Sequence, residues 1–471
     1  MNTPQEIPWI DKAAVDEKAA PTRRSGSLRG RLNLYRIPWL RAAIESRWPQ
    51  FLVRALALAG FVFAIAAGLF GSAVGSHNFA IIFVWIAWWS AFKLVFIPFG
   101  GRSWCSICPI PLPGEWLQQG GILGKGPRGF GLNLRWPKRL KGSWLQSGAF
   151  LLIGLFSALT LTLPSVTGWV FVALFGLAIG LSLVFERRAF CSYICPIGGF
   201  SGIYAQTAPV ELRVIDTEIC AKHGDKSCYH ACPWGLYPLA FRDSAACGLC
   251  MECLRACPQD NLALNLRPFG ADIGKPRSSN RLDEAFLALV MLGSALAFAA
   301  VFTGPWGWLK SAASAIGSLR WTGYAAGFLA LNLLILPGLF CLAVWASQKA
   351  TTKKLALKRQ ISNQAQALLP LGLMAWIAFT VSFALPKLGT VLGVANDPFG
   401  WGWNLLGAAY SPWSPDVSGF SPFLQAGLLL IGLFWSANVV RRLSESNIRQ
   451  ALPILAFCLA FSLAMLWLLI G

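Results

Sequence analysis

Histidine is almost absent from this chain, because only His77, His223 and His230 occur among its 471 residues. None of the three lies in a long apolar run, so the chain is not expected to hold a haem between paired histidines inside a membrane. The sequence also lacks a nucleotide-binding glycine fingerprint, a flavin motif and a carboxylate pair suited to acid–base catalysis. These absences argue against a stand-alone enzyme.

Charged residues are scarce as well, at 13% of the chain, against 55% hydrophobic residues and a mean hydropathy of +0.55. A soluble core cannot bury so much apolar surface, whereas a bilayer about 30 Å thick accepts helices of roughly 20 apolar residues. Nine runs have this character: 51–72, 79–98, 144–163, 167–186, 284–303, 323–346, 366–386, 422–440 and 451–470. We predict an all-α polytopic membrane protein with about nine transmembrane helices.

Positive residues are unevenly shared between the loops. The N-terminal segment and every second loop hold 35 of the 40 Lys and Arg residues, and the intervening loops hold only Lys310, Arg320 and Lys387. Because Lys and Arg accumulate on the cytoplasmic side, we predict a bacterial inner-membrane protein with its N-terminus inside and its C-terminus outside. The charge is spread over short loops rather than gathered on one face, so a nucleic-acid partner is not expected.

The chain divides into four segments. Residues 1–48 are basic and lack the apolar stretch of a signal peptide, 49–204 form a four-helix membrane domain, and 283–471 form a five-helix membrane domain. Between them, 205–282 is polar and rich in cysteine. The apolar stretches Val210 to Ile215 and Leu262 to Arg267 predict short strands there. We expect an inserted α+β domain like a small bacterial-type two-cluster ferredoxin.

Eleven of the thirteen cysteines fall between residues 105 and 257, on the side that the charge distribution makes cytoplasmic and reducing. The strongest motif is Cys247-x2-Cys250-x2-Cys253-x3-Cys257-Pro258. Three thiolates at this spacing hold one [4Fe–4S] cluster, and the fourth reaches a second cluster. Zinc sites usually need two separated cysteine pairs, so this run favours a cluster over zinc.

An upstream motif, Cys220-x7-Cys228-x3-Cys232-Pro233, ends in the same way but lacks one cysteine. We predict one cluster on Cys232, Cys247, Cys250 and Cys253, and a second on Cys220, Cys228 and Cys257. His223 is a candidate fourth ligand of the second cluster, and the alternatives are a three-iron cluster or a thiolate borrowed from elsewhere. His230 is expected to donate a hydrogen bond near a cluster sulfur.

Four further cysteines lie at the predicted cytoplasmic ends of the second and fourth helices, in Cys105-x2-Cys108-Pro109 and Cys191-x3-Cys195-Pro196. They are metal-ligand candidates that either hold a third cluster or lend ligands to the incomplete one. A redox-active thiol pair, or a copper or zinc site, is the alternative. Because Arg102, Arg187 and Arg188 lie nearby, we expect these thiols to deprotonate readily. Cys341 and Cys458, in apolar helices, are expected to be packing residues.

These motifs together resemble the NapH/NosR/CcoG-type membrane polyferredoxins, in which helices with Cys-x3-Cys-Pro motifs precede a two-cluster ferredoxin domain. The similarity covers about residues 50–270 and rests on Cys191-x3-Cys195-Pro196 combined with the run from Cys247 to Cys257. The Cys105-x2-Cys108 spacing, the missing cysteine and the five later helices differ from that family. The resemblance implies electron transfer between the quinone pool, or another membrane donor, and a redox partner protein or larger respiratory-type complex.

Three functions are compatible with these features. The favoured one is an electron-transfer subunit that relays electrons between the quinone pool and a partner redox enzyme through two [4Fe–4S] clusters or three. The others are a metallocentre-assembly or copper-reducing protein, and a membrane redox sensor whose incomplete cluster is labile. Lys93 is the one charge well inside a predicted span. We expect it to snorkel to the cytoplasmic surface, with a quinone-binding or proton-relay role as the alternative.

Overall fold

Long apolar helices make up most of the chain, as the computed structural model of residues 31–122, 129–277, 280–351, 355–407 and 419–471 describes it. Eight helices within these ranges are long and apolar enough to cross a membrane. The apolar helices are α1 (Arg47–Phe70), α2 (Phe79–Gly100), α3 (Trp144–Leu155), α4 (Pro164–Val184), α5 (Leu282–Phe302), α6 (Leu319–Lys349), α7 (Leu368–Ala384), α8 (Ser421–Leu443) and α9 (Ile448–Ile470). The predicted multi-pass helical class is confirmed.

The third predicted span, 144–163, departs from the expected length. Helix α3 has only 12 residues, and after Phe156 a single turn, Ser157–Thr160, takes its place. The Thr160 hydroxyl donates to the Phe156 carbonyl at 3.2 Å, and the Thr162 hydroxyl donates to the Ala158 carbonyl at 2.5 Å. Side-chain hydrogen bonds of this kind compete with the helix ladder, and they accompany the break here.

Helices α5 and α7 form the centre of the bundle, since 78% of the most apolar stretch of each is buried, against 17% for α1. Trp376 of α7 packs at this centre against Phe150 of α3 and Phe298 of α5, with ring centroids 6.1 and 5.3 Å apart. Its indole N–H donates to the Met291 carbonyl at 3.1 Å, so even this deep polar atom has a partner.

Within the described ranges, four stretches of π-helix interrupt the α-helical geometry, at Ile82–Trp88, Phe92–Phe96, Phe190–Ile194 and Leu331–Ile335. The last three contain the buried residues Lys93, Cys191 and Asn332, respectively. A π-bulge inserts one residue into a helix turn and re-aims the neighbouring side chains, and it is frequent at functional sites. These stretches therefore direct attention to the few polar groups that the bundle buries.

A three-stranded antiparallel sheet underlies the cysteine-rich segment, in the order β1 (Leu32–Asn33), β3 (Leu262–Leu266), β2 (Val210–Val214). Val210 lies opposite Leu266 and Val214 opposite Leu262. The two predicted strands are confirmed. Strand β1 was not predicted, because it belongs to the basic N-terminal segment. Residues 1–30 of that segment lie outside the described ranges. Three short helices complete the segment: Thr217–Lys222, Ser227–Ala231 and Glu252–Arg255.

Candidate metal centres

Four cysteines, here called the helix-end site, meet where α2 and α4 leave the apolar bundle: Cys105, Cys108, Cys191 and Cys195. Cys105 lies on the short helix Trp104–Ile107, which begins after a turn at Gly101 with a φ of +58°. Cys191 lies in the π-helical stretch Phe190–Ile194. All four thiols are close enough for their charges to interact. The structure thus joins two motifs that are more than 80 residues apart in the chain.

Every Cys-Pro motif with described cap geometry bends the chain in the same way. The φ and ψ angles are −59° and 129° at Cys108, −58° and 118° at Cys195, and −72° and 118° at Cys232. The following proline disfavours helical angles at its neighbour, so the chain turns extended directly at the thiol. The Gly198 N–H then donates to Cys195 Sγ at 3.3 Å. The motif therefore both orients a thiol and supplies a hydrogen bond to it.

Burial opposes the expected effect of the nearby arginines on the helix-end thiols. Burial raises the pKa of the Cys195 thiol to about 11, and burial also raises the pKa of Cys108 and Cys191. The guanidinium groups bind carbonyl oxygens instead: Arg102 donates to Cys191 O at 2.9 Å, and Arg188 donates to Cys105 O. A bound cation would reverse this balance, because it deprotonates the thiols that coordinate it.

The proximal site consists of Cys232, Cys247, Cys250 and Cys253, whose charges interact with one another. Leu249 and Met251 have left-handed φ angles of 50° and 64°. Such angles cost energy in residues with side chains, but they turn successive N–H groups to one side and form the anion-binding concavity found at many iron–sulfur sites. The Leu236 N–H adds a hydrogen bond to Cys232 Sγ at 3.4 Å.

The distal site brings together Cys220, Cys228 and Cys257. Asn261 serves two of these sulfurs: its backbone N–H donates to Cys257 Sγ at 3.4 Å, and its side-chain amide donates to Cys220 Sγ at 3.3 Å. His223 directly follows the helix Thr217–Lys222, which contains Cys220. Its Nδ1 atom is buried without a hydrogen-bond partner among the described residues. Sequence reasoning missed Asn261, although an amide four residues after the last cysteine is a visible signal.

The expected role of His230 beside a cluster sulfur is not supported by the structure. His230 is exposed and packs edge-on against the neighbouring ring of Tyr229, with centroids 5.3 Å apart. Cys341 and Cys458 lie away from the three sites, within α6 and α9. Among the described residues, no three His, Cys, Asp or Glu side chains are close enough to hold a single metal ion.

Trp234 connects the helix-end site to the proximal site. Its buried ring packs in one cluster with Cys105 of the helix-end site and with Cys232 and Cys250 of the proximal site. The Arg188 guanidinium lies 4.4 Å from the ring centroid, and that of Arg102 lies 6.0 Å away. The indole Nε1 is buried without an acceptor in the described part of the chain. Sequence analysis did not identify Trp234, because nothing local marks a tryptophan as a contact between two motifs.

A buried ion pair fixes Arg188 in this position. Arg188 donates from Nη2 to Glu115 Oε2 at 2.8 Å and also pairs through Nε with the other carboxylate oxygen. Both side chains are at least nine-tenths buried. Arg102 additionally donates to the Ala245 carbonyl at 3.0 Å, so it holds the segment before Cys247 against the end of α2. These contacts make the helix ends and the cysteine-rich segment one packed unit.

Lys93 does not snorkel. Its side chain is fully buried, and Nζ lies 5.2, 5.3 and 5.4 Å from the ring centroids of Trp89, Trp376 and Phe379. The expectation was wrong because hydropathy gives depth along the helix but not the direction of the side chain. The π-helical stretch Phe92–Phe96 contains Lys93, which points to α7 at the bundle centre rather than to the membrane surface.

Comparison with known proteins places the iron–sulfur match on the helix-end site. The family model "4Fe-4S binding domain" matches residues 81–131 and 167–210, which contain all four helix-end cysteines and none of the other nine. The chain is 27% identical over 161 residues to the methylamine utilization ferredoxin-type protein MauN of Methylorubrum extorquens, covering 30% of this chain and 50% of that protein. It is 26% identical over 162 residues to the protein of that name from Paracoccus denitrificans. No solved structure matches the chain.

These matches support an iron–sulfur, ferredoxin-type membrane protein with an electron-transfer role. The chain spans about half the length of the curated relatives that it matches. None of the matches named above is to a NapH, NosR or CcoG protein, so the expected resemblance to that type is not confirmed.

Proposed function

We propose that this chain is a membrane-bound electron relay in which three [4Fe–4S] clusters form a line from the helix ends to the distal site. The contact of Trp234 with cysteines of both the helix-end and proximal sites carries this proposal. Cys253 of the proximal site interacts electrostatically with Cys228 of the distal site, which continues the series. Each cluster, when bound, accepts and releases a single electron.

The donor atoms fit such clusters at each position. The helix-end and proximal sites each offer four thiols, and N–H groups donate to sulfur in all three sites. The indole N–H of Trp234 has no acceptor among the described residues, and it could donate a hydrogen bond to the sulfide of a bound cluster. Buried polar atoms normally have partners, so this orphaned donor supports an occupant between its neighbouring cysteines.

His223 is proposed as the fourth ligand of the distal cluster. It follows the Cys220 helix directly, and its Nδ1 lacks any hydrogen-bond partner in the described structure. Imidazole replaces thiolate in some iron–sulfur centres and raises their reduction potential. A distal cluster with one imidazole ligand would thus lie higher in potential than one with four thiolates, which favours the distal site as the electron-accepting end.

The residues around the sites have complementary roles in this proposal. Arg102 and Arg188 hold Trp234 and two cysteine carbonyls, and their fixed positive charge favours thiolate ligands. The backbone N–H groups near Leu249 and Met251 stabilise negative charge at the proximal site. Burial of the cysteines keeps water from the clusters, and this also influences their potentials.

The membrane part of the proposal places the three sites on the cytoplasmic side of a bacterial inner membrane, with the C-terminus outside. Its support is the concentration of Lys and Arg in alternate loops. A quinone or another membrane donor, and a redox partner protein that performs the terminal chemistry, are the proposed partners. The relatives named for methylamine utilization are consistent with service to a partner enzyme.

Magnetic interaction between clusters tests the relay directly. The full chain is purified anaerobically in detergent and reduced with dithionite, and EPR spectra are recorded for the wild type, Cys191→Ser and Cys458→Ser. We expect the proximal signal to be broadened by spin coupling to its helix-end neighbour. Cys191→Ser should remove that broadening, and the control Cys458→Ser, which changes a buried cysteine in α9, should retain it.

Three outcomes would contradict the relay. If Cys191→Ser leaves the spectrum unchanged, the helix-end cysteines hold no cluster that communicates with the proximal site. If the purified chain contains copper that is lost in Cys191→Ser while both ferredoxin signals persist, the metallocentre-assembly function replaces the relay. Loss of the distal cluster without any change in electron throughput would favour the sensor instead.

A further inference from the structure

Lys93 is a basic side chain without a counter-charge, deep in the apolar bundle. Its side chain is fully buried, and Nζ has neither a hydrogen-bond acceptor nor an ion-pair partner in the described part of the chain. It lies seven residues before the end of α2 at Gly100, or about 10 Å along the helix axis. Three aromatic rings lie close to the amine, with centroids 5.2 to 5.4 Å from Nζ.

A positive charge on Lys93 is energetically costly in this position. A buried charge is normally paired, and cation–π contacts compensate only part of the lost hydration. Ionisable residues inside membrane bundles are rare, and their commonest roles involve the movement of ions or protons. The π-helical stretch at Phe92–Phe96 is a second, independent sign, because such stretches frequently occur at functional sites.

A series of neighbouring aromatic rings leads from Lys93 to the helix-end site. Trp89, whose ring centroid lies 5.2 Å from Nζ, is 5.8 Å from Trp88, and Trp88 is 5.0 Å from Trp104, as measured between ring centroids. Trp104 directly precedes Cys105. Charges interact more strongly in a largely apolar environment than in water, so a change of charge at the helix-end site would affect Nζ.

Few other titratable groups face Lys93 from the elements packed around it. Tyr204 lies on the neighbouring helix Pro196–Tyr204, Asp283 and Glu284 lie at the cytoplasmic start of α5, and α7 contains no titratable side chain. The Tyr204 hydroxyl is buried and also lacks a partner among the described residues. Arg102 and Arg188 lie closer to the helix-end site but stay protonated, so Lys93 is the basic group of these elements that can change its charge there.

We propose that Lys93 takes up a proton when the helix-end cluster is reduced, so that this site couples one proton to one electron. The inference rests on the helix-end cluster of the proposed function. When a one-electron donor reduces a cluster bound there, the Lys93 amine, neutral in the oxidised state, would take up one proton from the aqueous phase at Nζ, and the new ammonium charge would compensate the added negative charge. Oxidation of the cluster by the next acceptor returns the proton.

Redox titrations at several pH values test this coupling. The midpoint potential of the helix-end cluster is measured by EPR in the full chain, from about pH 6 to about pH 9, for the wild type, Lys93→Met, Lys93→Arg and Ser90→Ala. In the wild type we expect the potential to fall as pH rises, by up to about 59 mV per tenfold change in proton concentration. Proton uptake on reduction, read with a pH indicator, provides a second measurement.

The variants distinguish coupling from packing. Lys93→Met should abolish the pH dependence, and Lys93→Arg should also abolish it while keeping a permanent positive charge and therefore a higher potential than Lys93→Met. Ser90→Ala changes another buried polar residue of α2 and should behave as the wild type. A pH-independent wild-type potential, or pH dependence retained in Lys93→Met, would overturn the coupling. Absence of a helix-end cluster signal would instead overturn the relay itself.

Discussion

Asn261 shows how much a single side chain can contribute to one of these sites. Its amide group donates to the Asp216 carbonyl at 2.6 Å and to Cys220 Sγ at 3.3 Å, while its Oδ1 accepts from the Asp216 N–H at 2.9 Å. One residue thus joins the loop before Cys220 to the loop after Cys257. Hydrogen bonds to cluster sulfurs are among the factors that determine reduction potential.

We predict that Asn261→Leu lowers the reduction potential of the distal cluster, because a donor that stabilises the extra electron is lost. The variant should also lose about 1 to 3 kcal/mol of stability, since the Asp216 backbone groups lose their partners. Redox titration followed by EPR measures the first effect, and the proximal and helix-end clusters serve as internal controls. Equal shifts in all three potentials would show that Asn261 acts through the whole fold.

Gly248 determines whether the loop that carries the proximal cysteines can pack on Trp234. A Cβ atom added there would lie 2.2 Å from the Trp234 ring, well inside van der Waals contact. We predict that Gly248→Ala displaces the loop and costs the chain the proximal cluster, a loss of about four iron atoms. The measurement is iron and acid-labile sulfide per chain.

A matched glycine in the same segment provides the control. A Cβ added at Gly224 meets no atom within 4 Å, so Gly224→Ala should retain full iron content. Equal iron content in Gly248→Ala and the wild type would mean that the proximal site does not depend on the close contact with Trp234.

At the scale of elements, a buried charge network anchors the sheet. Arg267, directly after β3, pairs with Glu211 of β2 at 2.8 Å and with Asp272 at 2.5 Å, and the side chains of Arg267 and Glu211 are completely buried. Burial alone would raise the pKa of Asp272, but hydrogen bonds and charge from Arg267 outweigh burial and lower it below its ordinary value of 3.8. Asp272 therefore stabilises the fold above about pH 4, and this contribution is lost as pH falls through the lowered pKa.

We predict that Arg267→Met destabilises the cysteine-rich segment by about 3 to 5 kcal/mol, because it leaves two carboxylates buried without their main partner. Thermal loss of the cluster absorbance, followed at neutral pH, provides the measurement. Lys222→Met is the control, since Lys222 forms only an exposed pair with Glu218 within one helix and should melt like the wild type. Indistinguishable melting of the two variants would show that the network is dispensable.

The elements that could be predicted from the sequence were those with a local signal. Apolar length located the membrane helices, and cysteine spacing predicted which thiols lie together in the cysteine-rich segment. Contacts between distant segments had no such signal. Trp234 meets Cys105 from 129 positions away in the chain, and Leu32–Asn33 joins a strand more than 200 positions later. The direction of the Lys93 side chain depends on a π-helical stretch that hydropathy does not detect.

At the scale of the whole molecule, α5 and α7 form a buried centre, and the three cysteine sites lie together at one end of it. The helix Pro196–Tyr204 links the two regions. It begins directly after Cys195, and the ring centroid of its Phe200 lies 5.5 Å from that of Trp376. The proposed proton site and the proposed electron path therefore share the same packed core. Helix α7 thus forms one wall of the Lys93 site, through Trp376 and Phe379.

The helix-end cysteines are proposed to hold a third cluster in line with two ferredoxin-type clusters. The iron and acid-labile sulfide content of anaerobically purified protein tests this proposal, for the wild type and for Cys191→Ser with Cys195→Ser. We expect about twelve iron atoms per wild-type chain and about eight in the double variant. About eight iron atoms in both proteins, or zinc or copper in place of iron at the helix-end site, would contradict it.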